Sequence, residues 1–282
     1  MNKKVSSSQN LRNKIRIVHH TDTGRVRDHN EDAAAADMDI GLVAVADGMG
    51  GYNAGEVAAE LAIKTVMNLV RQGLEREPRG DIDPESGLMR QSIVLRNAVA
   101  RANKIIWQTA QSQPQCKGMG TTLVACLFYD DRISVAHVGY SRIYRRRGDR
   151  LEQLTLDHSL LQELVDRGFY SAEEAQRSTN RNYVTRALGV ESTVEVEIQE
   201  GSVQPGDIYV LCSDGLTDMV EDEDIHLTIN TFSANLQTVA EQLIELANDN
   251  GGRDNITVTL AEITGSFAEK QGLVGRLKGL IR

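Results

Sequence analysis

The sequence predicts an α+β fold in which helices pack in layers against antiparallel sheets. Two long helical segments near the start are followed by short runs of apolar and β-branched residues, which turn residues separate. Runs of strands beside runs of helices are typical of antiparallel sheets, whereas regular strand–helix alternation indicates a parallel doubly wound sheet. Because the 282 residues contain neither a repeat nor a linker-like stretch, we expect one domain.

The first half of the chain is expected to form two strands and then two helices. IRIVHHTDTG alternates Ile15 and Ile17 with polar residues before it breaks at Gly24. LVAVADGMGG is a short apolar run, typical of a strand in a covered sheet, and the run stops at Asp47. AGEVAAELAIKTVMNLV has apolar residues at helical spacing, and a second helix is predicted from about Ser86 to about Gln111.

The second half is predicted to consist mainly of strands. TTLVACLFYDDRISVAHVGYSRIYRRRGDRLEQLT is rich in apolar and β-branched residues, and Asp130-Asp131 and Gly148-Asp149 divide it as hairpin turns do. DHSLLQELVDRGFYSAEEAQ is predicted to be helical, and strands are expected on both sides of Pro205-Gly206. SANLQTVAEQLIELANDNGG is a further helix that ends in glycines, and DNITVTLAEI is the last strand.

Polar segments flank the predicted domain, which spans residues 15–264. Residues 1–14 are polar and basic, and we expect them to be disordered. Residues 265–282 form a C-terminal tail in which leucines alternate with basic residues, a pattern that allows a short amphipathic helix. Glycines within this tail favour a frayed segment instead.

Composition disfavours several classes of function. Acidic residues number 40 and basic residues 31, and the resulting net charge of −9 argues against nucleic acid as the main partner. No apolar run reaches the roughly 18 residues that a membrane span needs. Cys116, Cys126 and Cys212 form no CxxC pair and are interpreted as small buried residues in a reducing compartment. A cytoplasmic protein is therefore predicted.

Acidic residues recur at predicted strand ends, next to glycines. Asp32 follows the first strand, and Asp47 ends the second strand just before Gly48. Asp214 ends the strand of VLCSDGL, and Asp254 begins the last strand. Carboxylates without cationic partners repel one another, and Mg²⁺ or Mn²⁺, which prefer oxygen ligands, removes that repulsion. The set predicts a divalent metal site, although each Asp-Gly pair taken alone is as readily a turn.

One cation, Arg27, precedes Asp32 by five positions in VRDHNED. A guanidinium beside a metal site suits a phosphate monoester, because it binds two phosphate oxygens at once. Taken alone, such an arginine is more often a surface residue. Its place in the same loop as Asp32 is what indicates a phosphate-binding role.

Eight motifs, in this order, resemble the PPM family, the type-2C metal-dependent Ser/Thr protein phosphatases, in its short bacterial form. They are VRDHNED, VADGMGG, GMGTTLV, AHVGYSRIYR, LTLDHSL, VTRALG, VLCSDGL and GRDNITV, and they extend over about residues 16–263. The resemblance implies a four-layer α-β-β-α sandwich with two antiparallel sheets inside and the metals in a cleft at one edge. It also implies a flap within about residues 167–181.

The resemblance assigns a role to each matching metal ligand. Asp47 is implied to bridge two metal ions, and Gly48 to bind one of them through its backbone carbonyl. Asp214 and Asp254 match the other ligands of the first metal, and Asp32 matches the acidic residue that serves the second. The cofactor is implied to be two Mn²⁺ or Mg²⁺ ions, and the bacterial members of the family bind a third, weaker metal.

The remaining matches imply the reaction and its partners. Arg27 corresponds to the arginine that binds the phosphoryl group and counts with Asp47 as catalytic, while Glu31 and Asn255 support the ligands. The implied activity is hydrolysis of phosphoserine and phosphothreonine in proteins by a water that two metal ions activate. The implied partners are phosphorylated proteins and a cognate Ser/Thr kinase whose action the enzyme reverses, and we expect a monomer.

Two positions depart from the family pattern. Met49 stands where eukaryotic members carry a histidine that is proposed as a general acid, and His137 and His158 are considered for that role instead. Tyr140 in VGYSR replaces an aspartate that helps bacterial members bind a third, weaker metal. A phenol is a poor ligand for a hard cation because its pKa is about 10. The third site is therefore in doubt, with Asp157 and Asp214 as the residues that could retain a weak one.

Two other functions stay open. A pseudophosphatase that keeps the fold and acts as a phosphoprotein-binding scaffold is favoured by Tyr140 and disfavoured by the retained acidic set. A metal phosphohydrolase that acts on small phosphates is disfavoured by the resemblance alone. Because water is the nucleophile both in a metal-dependent protein phosphatase and in a metal phosphohydrolase that acts on small phosphates, the three cysteines are expected to be dispensable.

Overall fold

The computed structural model describes residues 11–51, 54–76, 81–171 and 184–268. Its strands are β1 (Ile15–Asp22), β2 (Asp32–Asp37), β3 (Leu42–Met49), β4 (Gly120–Thr121), β5 (Leu123–Tyr129), β6 (Arg132–Val138), β7 (Arg142–Arg147), β8 (Arg150–Gln153), β9 (Glu197–Ser202), β10 (Ile208–Cys212) and β11 (Ile256–Ile263). Its α-helices are α1 (Ala54–Arg76), α2 (Arg90–Ser112), α3 (Leu160–Asp166), α4 (Asp214–Thr217), α5 (Asp222–Phe232) and α6 (Leu236–Asp249).

Two antiparallel sheets form the centre of the fold. One has the strand order β1-β11-β10-β7-β8, and the other has the order β2-β3-β5-β6-β9 with β4 paired to the end of β3. Buried side chains from both sheets, among them Val43, Val45, Phe128 and Tyr209, form one apolar core. The predicted α+β class, with two antiparallel sheets flanked by helices, is confirmed.

Helices cover the outer faces of both sheets. α1 and α2 pack on each other and on the second sheet through buried small and branched residues such as Ala58, Ala62 and Val99. α5 and α6 cover the first sheet, where Ile229 and Leu243 join its buried side chains. The result is the order helix, sheet, sheet, helix. None of the helices in the described ranges is both long and apolar enough to cross a membrane.

The pairing of β2 with β3 sets two acidic residues side by side, because Asp32 is the register partner of Asp47. β2 has the sequence DAAAAD, which does not indicate a strand because alanine is disfavoured in strands. Ala33 and Ala35 pack against the core beneath α1, and Ala34 contacts the core between the sheets. Tertiary packing on both faces therefore holds this strand in place.

The predicted hairpin turns are present, whereas several helices differ from the prediction. Asp130 and Asp131 both have positive φ, 47° and 53°, as a tight hairpin turn requires, and Gly148 has a φ of 57°. α2 begins at Arg90, later than predicted, and the helix predicted around DHSLL is described only as α3. α5 is absent from the prediction.

Both predicted tails contribute residues to the packed domain. Leu11 is buried in the core between the sheets, so residues 11–14 are not a disordered tail. Phe267 is also buried, and its N–H donates to a carboxylate oxygen of Asp131 at 2.6 Å. Residues 1–10 and 269–282 lie outside the described residues, and so does most of the predicted flap.

Candidate metal centre

Four aspartates from distant parts of the chain meet at one edge of the sandwich. Asp32 begins β2, Asp47 lies near the end of β3, Asp214 begins α4 two residues after β10 ends, and Asp254 lies just before β11. Burial raises the pKa of Asp47 well above its usual range, and the charges of Asp214, Asp32 and Asp254 raise it further. The structure thus brings together all four aspartates that the sequence singles out.

Asp32 and Asp214, which are partly buried, carry the same unfavourable crowding of negative charge. Burial raises the pKa of Asp32 to about 7, although hydrogen bonds, one of them from Ser213 Oγ at 2.7 Å, partly offset it. Burial and the charges of Asp218 and Asp254 raise the pKa of Asp214 well above its usual range. Among the described residues, Asp32 Oδ1 is buried without a hydrogen-bond partner. Crowded carboxylates with too few donors fit a hard divalent cation.

Asp218 is a member of this acidic region that the sequence analysis misses. Its N–H donates to the carbonyl of Asp214 at 2.7 Å, at the end of α4. The spacing of four residues in DGLTD, which puts both side chains on one helix face, is the signal that could have found it.

Gly48 is required by a close approach of three stretches of backbone. A Cβ at this position would lie 2.2 Å from the carbonyl oxygen of Gly55 and 2.6 Å from that of Glu31. The Gly48 N–H also donates to the Glu31 carbonyl at 3.2 Å. The backbone after Asp47 is therefore fixed between the Glu31 segment and the start of α1, and no side chain fits there.

Glu31 and Asn255 hold the loops that surround the cluster. Burial raises the pKa of Glu31, while Arg27 and backbone N–H groups at the start of α1 lower it, so the carboxylate faces that helix end. Asn255 Oδ1 accepts the Glu31 N–H at 2.8 Å. Its Nδ2 donates to the carbonyls of Thr23 and His29 at 3.0 and 2.8 Å. Both residues have a structural basis for the supporting role that the resemblance implies.

Arg27 reaches the acidic cluster from the loop before β2. Its Nη2 donates to Asp254 Oδ2 at 2.7 Å, and its side chain is 54% exposed. Burial alone would lower the pKa of the guanidinium, but the carboxylates of Asp254, Asp214 and Glu31 raise it, so the group stays charged. A half-exposed guanidinium at the rim of an acidic site has donors left for an incoming anion.

Tyr140 lies beside the cluster, whereas Asp157 is engaged elsewhere. Burial raises the pKa of the Tyr140 phenol, and the charges of Asp47 and Asp214 raise it further. The phenol therefore keeps its proton at neutral pH. Both carboxylate oxygens of Asp157 accept from Arg142, with Nε at 2.9 Å and Nη2 at 2.7 Å. The expectation that Tyr140 weakens or removes a third-metal site stays a prediction.

His137 and His158, the two histidines considered as general acids, are buried and stack with ring centroids 4.1 Å apart. Burial, helped by His158, lowers the pKa of His137 to about 4, and burial also lowers that of His158. Neutral enclosed imidazoles are poor proton donors near pH 7. With Glu197 they place potential ligand atoms within 4.8 Å of one another, but Arg186 Nη1 lies 3.2 Å from His158 Nε2 and disfavours a cation there.

Comparison with known proteins gives one consistent answer. Residues 19–257 match the family described as Protein phosphatase 2C. The chain is 38% identical over 245 residues to the serine/threonine phosphatase stp of Listeria innocua, covering 86% of this chain and 93% of that protein. It is 39% identical over 249 residues to the serine/threonine protein phosphatase PstP of Mycobacterium tuberculosis, covering 88% of this chain and 45% of PstP.

Solved structures agree with the sequence comparison. The crystal structure of Mycobacterium tuberculosis PstP/Ppp superposes with a TM-score of 0.78 at 38% identity, covering 89% of this chain and 99% of that one. The catalytic domain of PstP in complex with two manganese ions gives a TM-score of 0.75 at 37% identity, with the same coverage of 89% and 99%. The fold, the acidic cluster and these matches together show that the chain belongs to the protein phosphatase 2C family of bacterial serine/threonine phosphatases.

Proposed function

We propose that the chain hydrolyses phosphoserine and phosphothreonine in proteins, in a reaction that depends on two Mn²⁺ or Mg²⁺ ions, and so opposes a Ser/Thr kinase. The observation that carries this proposal is the cluster of four aspartates, Asp32, Asp47, Asp214 and Asp254, which needs cations to be stable when ionised. The two manganese ions in the complex of the PstP catalytic domain support the choice of metal and the number of ions.

The residues that would hold the metal are the carboxylates of the cluster and the Gly48 carbonyl. The charges of Asp214, Asp32 and Asp254 all raise the pKa of Asp47, so Asp47 lies close to the other three aspartates and would be placed to bridge two ions. When bound, divalent ions supply a water nucleophile and offset negative charge on the phosphoryl group. Asn255 and Glu31 would keep the ligand loops in register through the hydrogen bonds described above.

Arg27 would bind the phosphoryl oxygens and orient the phosphate ester toward the acidic edge. Its bond to Asp254 fixes the direction of the guanidinium while leaving other donors free. Met49 carries no transferable proton, so the serine or threonine leaving group would take its proton from solvent. The neutral phenol of Tyr140 would add no charge to the ligand set.

Hydrolysis of a phosphothreonine peptide over a Mn²⁺ titration tests this function. We expect the rate of peptide hydrolysis to rise with the Mn²⁺ concentration and to fall to zero when a chelator is added. Free phosphothreonine serves as the small-phosphate control, and it should be a much poorer substrate than the peptide. A folded protein without turnover at saturating Mn²⁺ would contradict the proposal and favour the pseudophosphatase, while equal rates on both substrates would favour a small-molecule phosphohydrolase.

Tyr140→Asp is expected to raise the number of Mn²⁺ ions bound and the maximal turnover, because it adds a carboxylate where the phenol now faces Asp47 and Asp214. Without metal the same variant should be less stable than the wild type, since it adds a like charge to the cluster. Tyr140→Phe is the matched control and should behave like the wild type. If both variants show the same Mn²⁺ activation curve, position 140 does not contact a metal.

Replacing the cysteines is expected to leave the reaction intact. Cys116, Cys126 and Cys212 are buried free thiols, and burial raises the pKa of Cys212 to about 12. Because the thiolate is the reactive form, Cys212→Ala should change kcat by less than about threefold. It should lower the melting temperature, since it leaves a small cavity in the core. A large loss of kcat would contradict a reaction that needs no protein nucleophile.

A further inference from the structure

His137 and His158 both contact the backbone of Gly139, the residue before Tyr140. We propose that His158, oriented by Glu197, is a positioning residue that fixes Gly139 and, through Gly139, the backbone of Asp47. The inference rests on the proposed function, because it concerns the residue that would bridge the metals. It concerns the cluster of His137, His158 and Glu197, which includes none of the four aspartates of the candidate metal centre.

The backbone of Gly139 is held on both sides by imidazole-bearing residues. Its N–H donates to His158 Nδ1 at 3.0 Å. Its carbonyl oxygen accepts the backbone N–H of His158 at 2.8 Å and lies 3.1 Å from His137 Nε2. Gly139 has a φ of 111°, and a Cβ there would lie 2.7 Å from Thr122 Cβ, so only glycine fits this turn. The turn is therefore defined by these contacts.

Thr122 connects this turn to the central carboxylate. Its Oγ1 accepts the Asp47 N–H at 3.1 Å, and its own N–H donates to the Asp47 carbonyl at 2.9 Å. The hydroxyl of Ser141, two residues after Gly139, lies 2.7 Å from Thr122 Oγ1 in a fully buried pair. One residue thus separates the Gly139–Ser141 turn from the Asp47 backbone. A displacement of the turn would be transmitted to Asp47 through packed groups.

Glu197 sets the proton and the orientation of the His158 ring. Since Nδ1 accepts from Gly139, a neutral ring carries its proton on Nε2, which donates to Glu197 Oε1 at 2.9 Å. Arg186 Nη1 lies 3.6 Å from the same carboxylate oxygen and balances its charge; it also lies 3.2 Å from His158 Nε2, but it makes no hydrogen bond to that nitrogen when the nitrogen is protonated. A rotated ring, or a side chain that places no acceptor at the position of Nδ1, would leave the buried Gly139 N–H without a hydrogen bond. That loss lowers the stability of the turn.

Two substitutions at position 158 separate the two contacts of the ring. In His158→Asn the side-chain oxygen stands near the place of Nδ1 and can still accept from Gly139, but the contact with Glu197 is lost. In His158→Gln the side-chain amide reaches the place of Nε2 and can still donate to Glu197, but the acceptor for Gly139 is lost. Both variants carry a side-chain amide, and they differ in whether the contact with Gly139 or the contact with Glu197 is kept.

The test is direct Mn²⁺ binding to the full chain without substrate, followed by kinetics on a phosphothreonine peptide. We expect His158→Asn to stay close to wild type, and His158→Gln to lose about 10- to 100-fold in Mn²⁺ affinity and kcat, with the peptide KM little changed. Ser92→Ala breaks a buried hydroxyl pair with Ser134 in another part of the core. It should lower the melting temperature without weakening Mn²⁺ binding.

Equal losses in the two His158 variants, or losses that follow the melting temperature as in the Ser92→Ala control, would overturn the positioning role. A wild-type chain that binds Mn²⁺ but hydrolyses no peptide would contradict the proposed function instead. In that case the Mn²⁺ affinities of the two variants still decide the positioning role.

Discussion

Asp47→Asn is expected to abolish metal-dependent hydrolysis and, at the same time, to raise the thermal stability of the metal-free protein. The first effect follows because an amide carries no charge with which to bridge two cations. We expect kcat to fall by at least about 10³-fold, more than the loss of one neutral transition-state donor causes in other enzymes. The second effect follows because the substitution removes one of several closely placed negative charges that repel one another.

The stability effect has a definite dependence on pH. The folded-state pKa of Asp47 is raised well above the unfolded value of about 3.9, so the folded protein binds more protons than the unfolded protein between these two values. The free energy of unfolding of the metal-free wild type therefore falls as pH rises through this window. Asp32, whose pKa is raised to about 7, acts in the same direction.

Melting temperatures of the metal-free wild type and Asp47→Asn at pH 5 and pH 8, both with chelator, measure this effect. The advantage of the variant should be larger at pH 8, where the wild-type cluster is more ionised. Asp149→Asn is the control, because the Asp149 side chain is 94% exposed and its contacts, a hydrogen bond from Asn230 at 3.2 Å and an approach to His226 at 3.7 Å, lie at the surface, so both melting temperatures should change only slightly. A variant that melts below the wild type at pH 8 would show that repulsion does not dominate at Asp47.

Arg27→Ala is expected to lower kcat/KM for phosphopeptides by about 10- to 100-fold, the cost of a charged hydrogen bond at 1.5–3 kcal/mol. Most of this loss should come through a higher KM. Mn²⁺ affinity should be maintained or increased, because the substitution frees the Asp254 oxygen that the guanidinium now occupies at 2.7 Å. Peptide kinetics and direct Mn²⁺ binding on the same preparation separate the two effects.

Two further variants sharpen the result for Arg27. Arg27→Lys should recover only part of the activity, since an ammonium binds phosphate as a point charge and lacks the planar pair of donors. Arg12→Ala removes an exposed arginine that pairs with Asp39 and should change neither constant. An Arg27→Ala protein with a normal KM but weakened Mn²⁺ binding would mean that Arg27 stabilises the ligand set and does not contact substrate.

The parts of the site that the sequence predicts are those with a local signal. Asp47 ends an apolar strand and is followed by a glycine, and the structure shows that Gly48 has no room for a Cβ. Asp214 and Asp254 stand in similar positions at strand ends. That these residues meet follows from sheet pairing, which composition and periodicity do not reveal. The eight ordered motifs supply that information through the resemblance.

The parts that the sequence analysis misses depend on tertiary contacts. The strand DAAAAD forms because both of its faces are covered, although alanine favours helices. Leu11 and Phe267 pack on surfaces that distant residues provide. α5 had a usable signal, since Asp222, Glu223 and Asp224 in its first turn favour a helix start. The hydrogen bond between the Gly139 N–H and His158 has no signal in the sequence, because it joins residues 19 positions apart through a backbone group.

The most direct test of the two-metal account is the number of Mn²⁺ ions bound per chain, measured by titration of the metal-free protein with peptide turnover followed in parallel. We expect two tightly bound ions, turnover that appears as the second ion binds, and fewer bound ions in Asp47→Asn. Full turnover with one ion or none would contradict it. So would two bound ions in a folded chain that hydrolyses no phosphopeptide, which would indicate a metal-binding pseudophosphatase.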